Sequence, residues 1–183
     1  MSKRSMRILL AIAVERQWEI DQIDVITASL NSPLDVTVYM EQPPYFSLSE
    51  PGRKPKDYVR KLIKSLYGLR QSGRNWNTFV DATLLKLGFS RCLNDPCIYT
   101  KSDLITGLYV DDMLIIGVRE QIDRFKTEIS EKLEIKDLGK ASMILSHRIR
   151  RGENSLSIDQ SLYMIEVLSE FNIVRLFWSV QSP

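Results

Sequence analysis

Leu108-Tyr-Val-Asp-Asp-Met-Leu-Ile-Ile116 is the stretch on which the reading of this chain turns. It belongs to Ile105–Gly117, the most apolar segment of the sequence, which Asp111-Asp112 interrupts. The apolar runs on either side have the character of strands, so the acidic pair lies at or near the tight turn of a hairpin. Two-residue hairpin turns favour Asn-Gly or Asp-Gly, because both central positions of the commonest type take φ > 0. Asp-Asp is a poor local choice there, and two neighbouring like charges repel. Two readings account for the pair: an acidic turn facing solvent, or two carboxylates kept adjacent because a cation between them relieves the repulsion.

Working outward, Trp18–Ile26 alternates as a strand does, and Asp24 sits inside it. Strand side chains alternate faces, which puts Asp24 on one face with Gln22 and Ile26. If this strand neighbours the 105–117 hairpin, Asp24 approaches Asp111 and three carboxylates surround one point. Such a set suits Mg²⁺, which takes a few carboxylates, substrate phosphates and several waters. Two such ions roughly 4 Å apart stabilise the attacking and the leaving oxygen of an in-line displacement. The matching reaction class is nucleotidyl transfer, in which positioning and charge supply most of the catalysis.

The remaining periodicities mix helices and strands. Met6–Trp18, Arg74–Leu87, Gln121–Leu133 and Leu162–Phe171 carry apolar residues at helical spacing, and Asp57–Leu66 is a basic helix candidate. Val36–Met40 alternates as a short strand. Gln42–Pro55 is a loop punctuated by proline, and Ser142–Arg150 with Ser155–Ile158 flank a turn at Arg151-Gly-Glu-Asn. The expected fold is α+β, with an antiparallel sheet covered on one face by helices.

Composition narrows the class. With 44% hydrophobic and 26% charged residues, the chain is neither disordered nor fibrous. The seven apolar residues Ile8–Val14 follow Lys3, Arg4 and Arg7 but run straight into Glu15-Arg16, an amphipathic helix rather than a signal peptide. No stretch reaches the ~20 apolar residues of a membrane span. A soluble, intracellular and cytoplasmic protein without membrane partners is expected. Cys92 and Cys97 with the single His147 make neither a disulfide framework nor a zinc site. Net charge is +2, yet residues 51–91 hold ten Lys/Arg against two Asp, while residues 1–50 hold four against seven acids. The basic block is either a solvated surface or a face that meets phosphate.

Six blocks now stand in order: Ile23-Asp-Val-Ile-Thr-Ala-Ser-Leu-Asn-Ser32, Val38-Tyr-Met-Glu-Gln-Pro43, Lys64-Ser-Leu-Tyr-Gly-Leu-Arg-Gln-Ser-Gly-Arg-Asn-Trp76, Asp95-Pro-Cys-Ile-Tyr99, Tyr109-Val-Asp-Asp-Met-Leu-Ile-Ile-Gly117 and Lys136-Asp-Leu-Gly139. In order and spacing they resemble the reverse transcriptases of copia-type LTR retrotransposons, from about Met6 to Asn172. The resemblance implies a polymerase palm, an antiparallel sheet packed on helices, with the fingers incomplete. The palm domain is expected over 1–172, and 173–183 as a divergent tail with the look of a frameshift. It implies Asp24, Asp111 and Asp112 as catalytic carboxylates holding Mg²⁺, or Mn²⁺. Asp24 and Asp111 would be the main ligands. It also implies Ser29, Tyr67, Gly68 and Tyr109 around the incoming deoxynucleoside triphosphate. Arg60, Lys61, Lys64, Arg70 and Arg74 would lie along an RNA or DNA template with its primer, each neutralised phosphate adding salt-dependent affinity. Fingers and RNase H segments are expected elsewhere in the full-length Pol polyprotein. For Trp76, Pro96 and Cys97, core packing is the expected role.

The chain also departs from the family. Ser29 stands where the family carries a Phe expected to exclude a ribose 2′-OH, so discrimination against ribonucleotides should weaken. Ile26, Ser32 and Gly73 replace Lys, Gly and Pro. Ser146 replaces a Gly in the hairpin expected to contact the primer, a change that is harmless only at negative φ. These departures imply weak or absent polymerase activity for this stretch alone. The alternative is a remnant that binds nucleic acid without catalysis.

Overall fold

The computed structural model describes residues 1–43, 58–153 and 155–171. Its centre is the apolar hairpin. Strand β6 (Leu104–Tyr109) turns into β7 (Asp112–Gly117), with Leu104 opposite Gly117 and Tyr109 opposite Asp112. Strand β1 (Glu19–Val25) pairs antiparallel with β7, from Glu19 opposite Gly117 to Asp24 opposite Asp112. On its other edge β1 pairs with β8 (Ile135–Lys140), a strand that periodicity alone did not mark. With β4 (Ser90–Arg91) and β5 (Ile98–Lys101), these form an antiparallel sheet of order β4-β5-β6-β7-β1-β8.

Both faces of this sheet are covered, which corrects the expectation of a single covered face. Helices α3 (Ser72–Lys86) and α4 (Arg119–Ser130) bring Trp76, Val80, Leu84, Ile122, Phe125 and Ile129 against Ile23, Val25, Met113 and Ile115. Helix α1 (Lys3–Glu15), N-capped by Ser2, brings Met6, Leu9, Leu10 and Ala13 against Ile20, Leu114 and Ile116 on the opposite face. The reason is legible in Met113-Leu-Ile-Ile116. An unbroken apolar run needs burial on both sides, whereas a half-buried strand alternates. All four residues are fully buried. Gly117 ends the run because a Cβ there would lie 2.5 Å from the Asp103 carbonyl oxygen.

Two smaller sheets complete the described chain. The expected Ser142–Arg150 strand is broken into β9 (Met143–Ile144) and β10 (His147–Arg151) by a turn at Leu145-Ser146, and β10 pairs with β11 (Leu156–Asp159). Ile144 and Ile149 join the α1-side core. Helix α5 (Ser161–Glu170) follows, with no buried residue. Tyr39–Glu41 (β2) pairs with Val59–Lys61 (β3), so part of the expected Asp57–Leu66 helix is a strand. Its register against Tyr39–Glu41 satisfies the ladder, and β-branched Val59 favours the pleat. Between β1 and β2 lies a short helix, α2 (Ala28–Asn31). Most of the expected 42–55 loop and the 173–183 tail lie outside the described residues.

Candidate active site

The register of β1 against β7 sets Asp24 directly across from Asp112. Residues opposite one another in an antiparallel pair have Cβ atoms only about 5 Å apart on one face. The turn between β6 and β7 consists of Val110 and Asp111, so Asp112 opens β7 rather than sharing the turn. Of the two turn residues only Val110 has positive φ, at +56°. The Asp111 carbonyl accepts the Val25 amide at 2.9 Å, which fastens the turn to the end of β1. Asp24, Asp111 and Asp112 are all half-buried and thus come to one end of the sheet from three adjacent backbone positions.

Their charges act on one another. Burial raises the Asp24 carboxyl above the ordinary aspartate range, and Asp111 and Asp112 raise it further, against a partial offset from Lys136. Lys136 lies across from Asp24 on β8. Asp112 is steadied by Gln22, whose Nε2 donates to its Oδ1 at 3.0 Å. Among the described residues, no three His, Cys, Asp or Glu side chains form a ready-made metal cage. The aspartates therefore converge without closing around a point. An open group of hard carboxylate oxygens fits Mg²⁺, which keeps much of its water, better than it fits an ion needing a full protein cage.

Gln22, Tyr109 and Asp112 face a cleft of about 550 Å³, walled by Leu138 and Lys140 of β8 and by the 142–146 segment. Tyr109, Leu145 and Ser146 also line an adjoining cleft of about 490 Å³ towards α5. The wall between them is strained: Leu145 and Ser146 take φ of +50° and +61°. Ser146 thus occupies the conformation in which a glycine is the easier residue. Ser32, by contrast, has φ −93° and carries no such strain. A cavity of about 1070 Å³ between α1 and the β4–β5 region contains none of the three aspartates.

The other expected residues are spread over separate elements. Ser29 is buried in α2, and its carbonyl accepts from the Ser32 hydroxyl at 3.0 Å. Tyr67 is exposed, beside Gly68 at φ +92°. Arg60 and Lys61 lie on β3, Lys64 bridges to Pro33, and Arg70 precedes α3. Arg74 on α3 pairs with Asp35, and Arg60 donates to Gln42 at 3.5 Å.

Three features escaped the sequence reading. Trp76, expected only to pack, also donates its indole N–H to the Val110 carbonyl at 2.6 Å. Asp21, on the opposite face of β1 from Asp24, receives both Arg119 nitrogens at 2.8 and 2.9 Å and Lys126 at 2.5 Å. The clue was an acid at an alternation position shared with Ile23, which demands cationic partners when buried. Asp95 accepts from the Ser5 hydroxyl at 2.6 Å and from the Ser2 and Cys97 amides. Burial raises its carboxyl, but these donors prevail and hold it at about 2.

Comparison with known proteins agrees with the six blocks. The family described as "Reverse transcriptase (RNA-dependent DNA polymerase)" matches residues 1–180. The chain is 38% identical over 177 residues to the "Retrovirus-related Pol polyprotein from transposon TNT 1-94" of Nicotiana tabacum, covering 92% of this chain and 13% of that one. It is 33% identical over 179 residues to the corresponding transposon RE1 polyprotein of Arabidopsis thaliana, covering 93% and 12%. A putative transposon Ty5-1 protein of Saccharomyces cerevisiae is 36% identical over 162 residues, covering 84% of this chain and 51% of the yeast protein. The chain thus spans about an eighth of the two plant polyproteins. No helix among the described residues is long and apolar enough to cross a membrane.

Proposed function

The chain belongs to the reverse transcriptase (RNA-dependent DNA polymerase) family, and from that premise we propose that it is the polymerase palm of a copia-type retrotransposon Pol polyprotein. Its reaction is template-directed nucleotidyl transfer to a primer 3′-hydroxyl, on an RNA or DNA template with deoxynucleoside triphosphates. The observation that carries the reading is the cross-strand pair Asp24 and Asp112, with Asp111 on the adjoining turn. Family membership alone would not require that these three acids meet.

Asp24 and Asp111 would hold Mg²⁺, or Mn²⁺, with Asp112 supporting them, and the metal would supply charge neutralisation between the primer oxygen and the triphosphate. The polypeptide does the positioning. Tyr109 and the 142–146 wall form the cleft beside Asp112, where the primer terminus lies. Ser29, Tyr67, Gly68 and Tyr109 border the incoming nucleotide. Arg60, Lys61, Lys64, Arg70 and Arg74 track the template and primer backbones, where each phosphate contact adds salt dependence. The elevated Asp24 carboxyl fits this reading, because a cation would relieve the repulsion that raises it.

Primer extension on poly(rA)/oligo(dT) with Mg²⁺ or Mn²⁺ tests the reading, with Asp111→Asn in parallel. Extension that disappears in Asp111→Asn supports it, and UTP in place of dTTP then asks whether Ser29 admits a ribose. A folded protein that extends nothing and binds neither ion sinks it. The second reading, a remnant that binds nucleic acid without catalysis, draws on the strained Ser146 in the cleft wall. Salt-dependent binding of primer–template that ignores metal would favour it.

A further inference from the structure

Val110 is an improbable residue for its place. It is β-branched, more than half exposed, and held at φ +56°, in the left-handed region that such side chains avoid. Nothing in its own burial offsets that cost. A hairpin with positive φ at the first central position ordinarily takes Gly there. Some contact from outside the hairpin must therefore select the conformation.

The Trp76 indole supplies one. Trp76 is 3% exposed and belongs to the α3-side core, and its ring lies 6.3 Å from the Phe79 ring, so α3 fixes its orientation. Its Nε1–H donates to the Val110 carbonyl oxygen at 2.6 Å. That carbonyl belongs to the peptide plane joining Val110 to Asp111, so fixing its direction fixes where the Asp111 backbone begins. The next carbonyl, that of Asp111, is fixed by the Val25 amide at 2.9 Å. Two successive carbonyls of the turn are thus tied, one to α3 and one to β1. The bond also satisfies an indole donor that burial would otherwise leave costly.

We propose that Trp76 is a positioning residue for the acidic turn: its indole N–H holds Val110 in the left-handed conformation and thereby aims Asp111 at Asp24 and Asp112. The functional consequence rests on the polymerase reading, while the conformational one does not.

Trp76→Phe keeps the ring in the core and removes only the donor. In ¹H–¹⁵N spectra of the full chain without metal, the wild type should show a slowly exchanging Trp76 indole proton and a strong intraresidue amide–Hα contact for Val110. In Trp76→Phe the Val110 contact should weaken, and the Val25 amide should exchange about tenfold faster, the effect of losing roughly one net hydrogen bond. Adding Val110→Gly should restore Val25 protection, because glycine takes the turn without the clamp. Unchanged Val110 and Val25 signals in a folded Trp76→Phe protein would overturn the proposal, as would a double variant no better protected than the single one. Mn²⁺ broadening of the Asp24 and Asp111 signals then tests the separate polymerase reading. An intact clamp with no Mn²⁺ effect defeats that reading and leaves the positioning role standing.

Discussion

Strands β1 and β7 and the turn that joins β6 to β7 carry the aspartates on backbone whose neighbours are buried on both faces of the sheet. The stretch from β3 to the start of α3 instead carries the basic residues and Tyr67 on backbone open to solvent. Met113 to Ile116 are each 0% exposed, whereas Val59, Ile63 and Tyr67 are 60, 84 and 60% exposed. The difference follows the tasks proposed for the two regions. A one-residue slip of β1 against β7 would send Asp24 to the opposite face, so the acidic end needs a register that the core enforces. A lysine beside a phosphate acts as a screened charge over several ångströms and needs no such register.

The sharpest way to break this contrast is to remove side-chain bulk from each region. Ile115→Ala should cost about 2–5 kcal/mol, from lost transfer energy and the cavity left in the sheet. Val59→Ala should stay within about 0.5 kcal/mol. Urea unfolding followed by circular dichroism measures both. Comparable losses would mean that β2 and β3 are part of the cooperative core.

Asp21 tests whether α4 is locked to the acidic strand by charge as well as packing. Asp21→Asn should cost about 2 kcal/mol, less than a fully enclosed pair because Arg119 remains partly in water. The loss should depend on pH in a defined direction. Burial raises the Asp21 carboxyl, but hydrogen bonds and charge from Arg119 and Lys126 prevail and hold it below the ordinary range. A lowered folded-state value stabilises fully above the unfolded pKa of about 3.9 and is lost as pH falls through the folded value. The wild type should therefore lose its advantage over Asp21→Asn below about pH 4. A constant gap down to pH 2 would assign the effect to packing alone.

The same contrast explains what was legible in the sequence. The 105–117 hairpin, the Asp24 strand and the α3 and α4 helices were readable because burial imposes a period on residue choice. Asp57–Leu66 was misread as a helix because its exposed residues obey no such period, and β3 exists there through pairing with β2. The burial of both sheet faces was written in Met113-Leu-Ile-Ile116, but the cover on the second face comes from α1, some hundred residues away. The convergence of the aspartates was foreseen only on condition that β1 neighboured the hairpin. The Trp76–Val110 bond joins a helix to a turn 34 residues on and leaves no local pattern to read.

The cleft wall offers a smaller and opposite effect. Ser146→Gly removes a side chain from a position at φ +61° and should stabilise the protein by about 1 kcal/mol. Thermal unfolding checks it. A destabilised variant would show that the Ser146 side chain makes up for the strain.

The smallest effect on stability, and the most telling about the exposed region, belongs to Arg74. Its partner Asp35 also accepts a hydrogen bond from Asn75, whose Nδ2 donates to Asp35 Oδ1 at 3.2 Å. The Arg74 side chain is 70% exposed, and exposed ion pairs contribute little. Arg74→Ala should therefore leave the urea midpoint unchanged. If Arg74 meets a backbone phosphate, the same variant should lower the slope of log affinity against log salt by about 1, measured by fluorescence anisotropy on primer–template. An unaltered slope would make the Arg74–Asp35 pair purely structural and move the phosphate track towards Lys61, Lys64 and Arg70. A fall in both stability and slope would be the harder result, because it would mean that the exposed region needs the geometric order so far seen only around the aspartates.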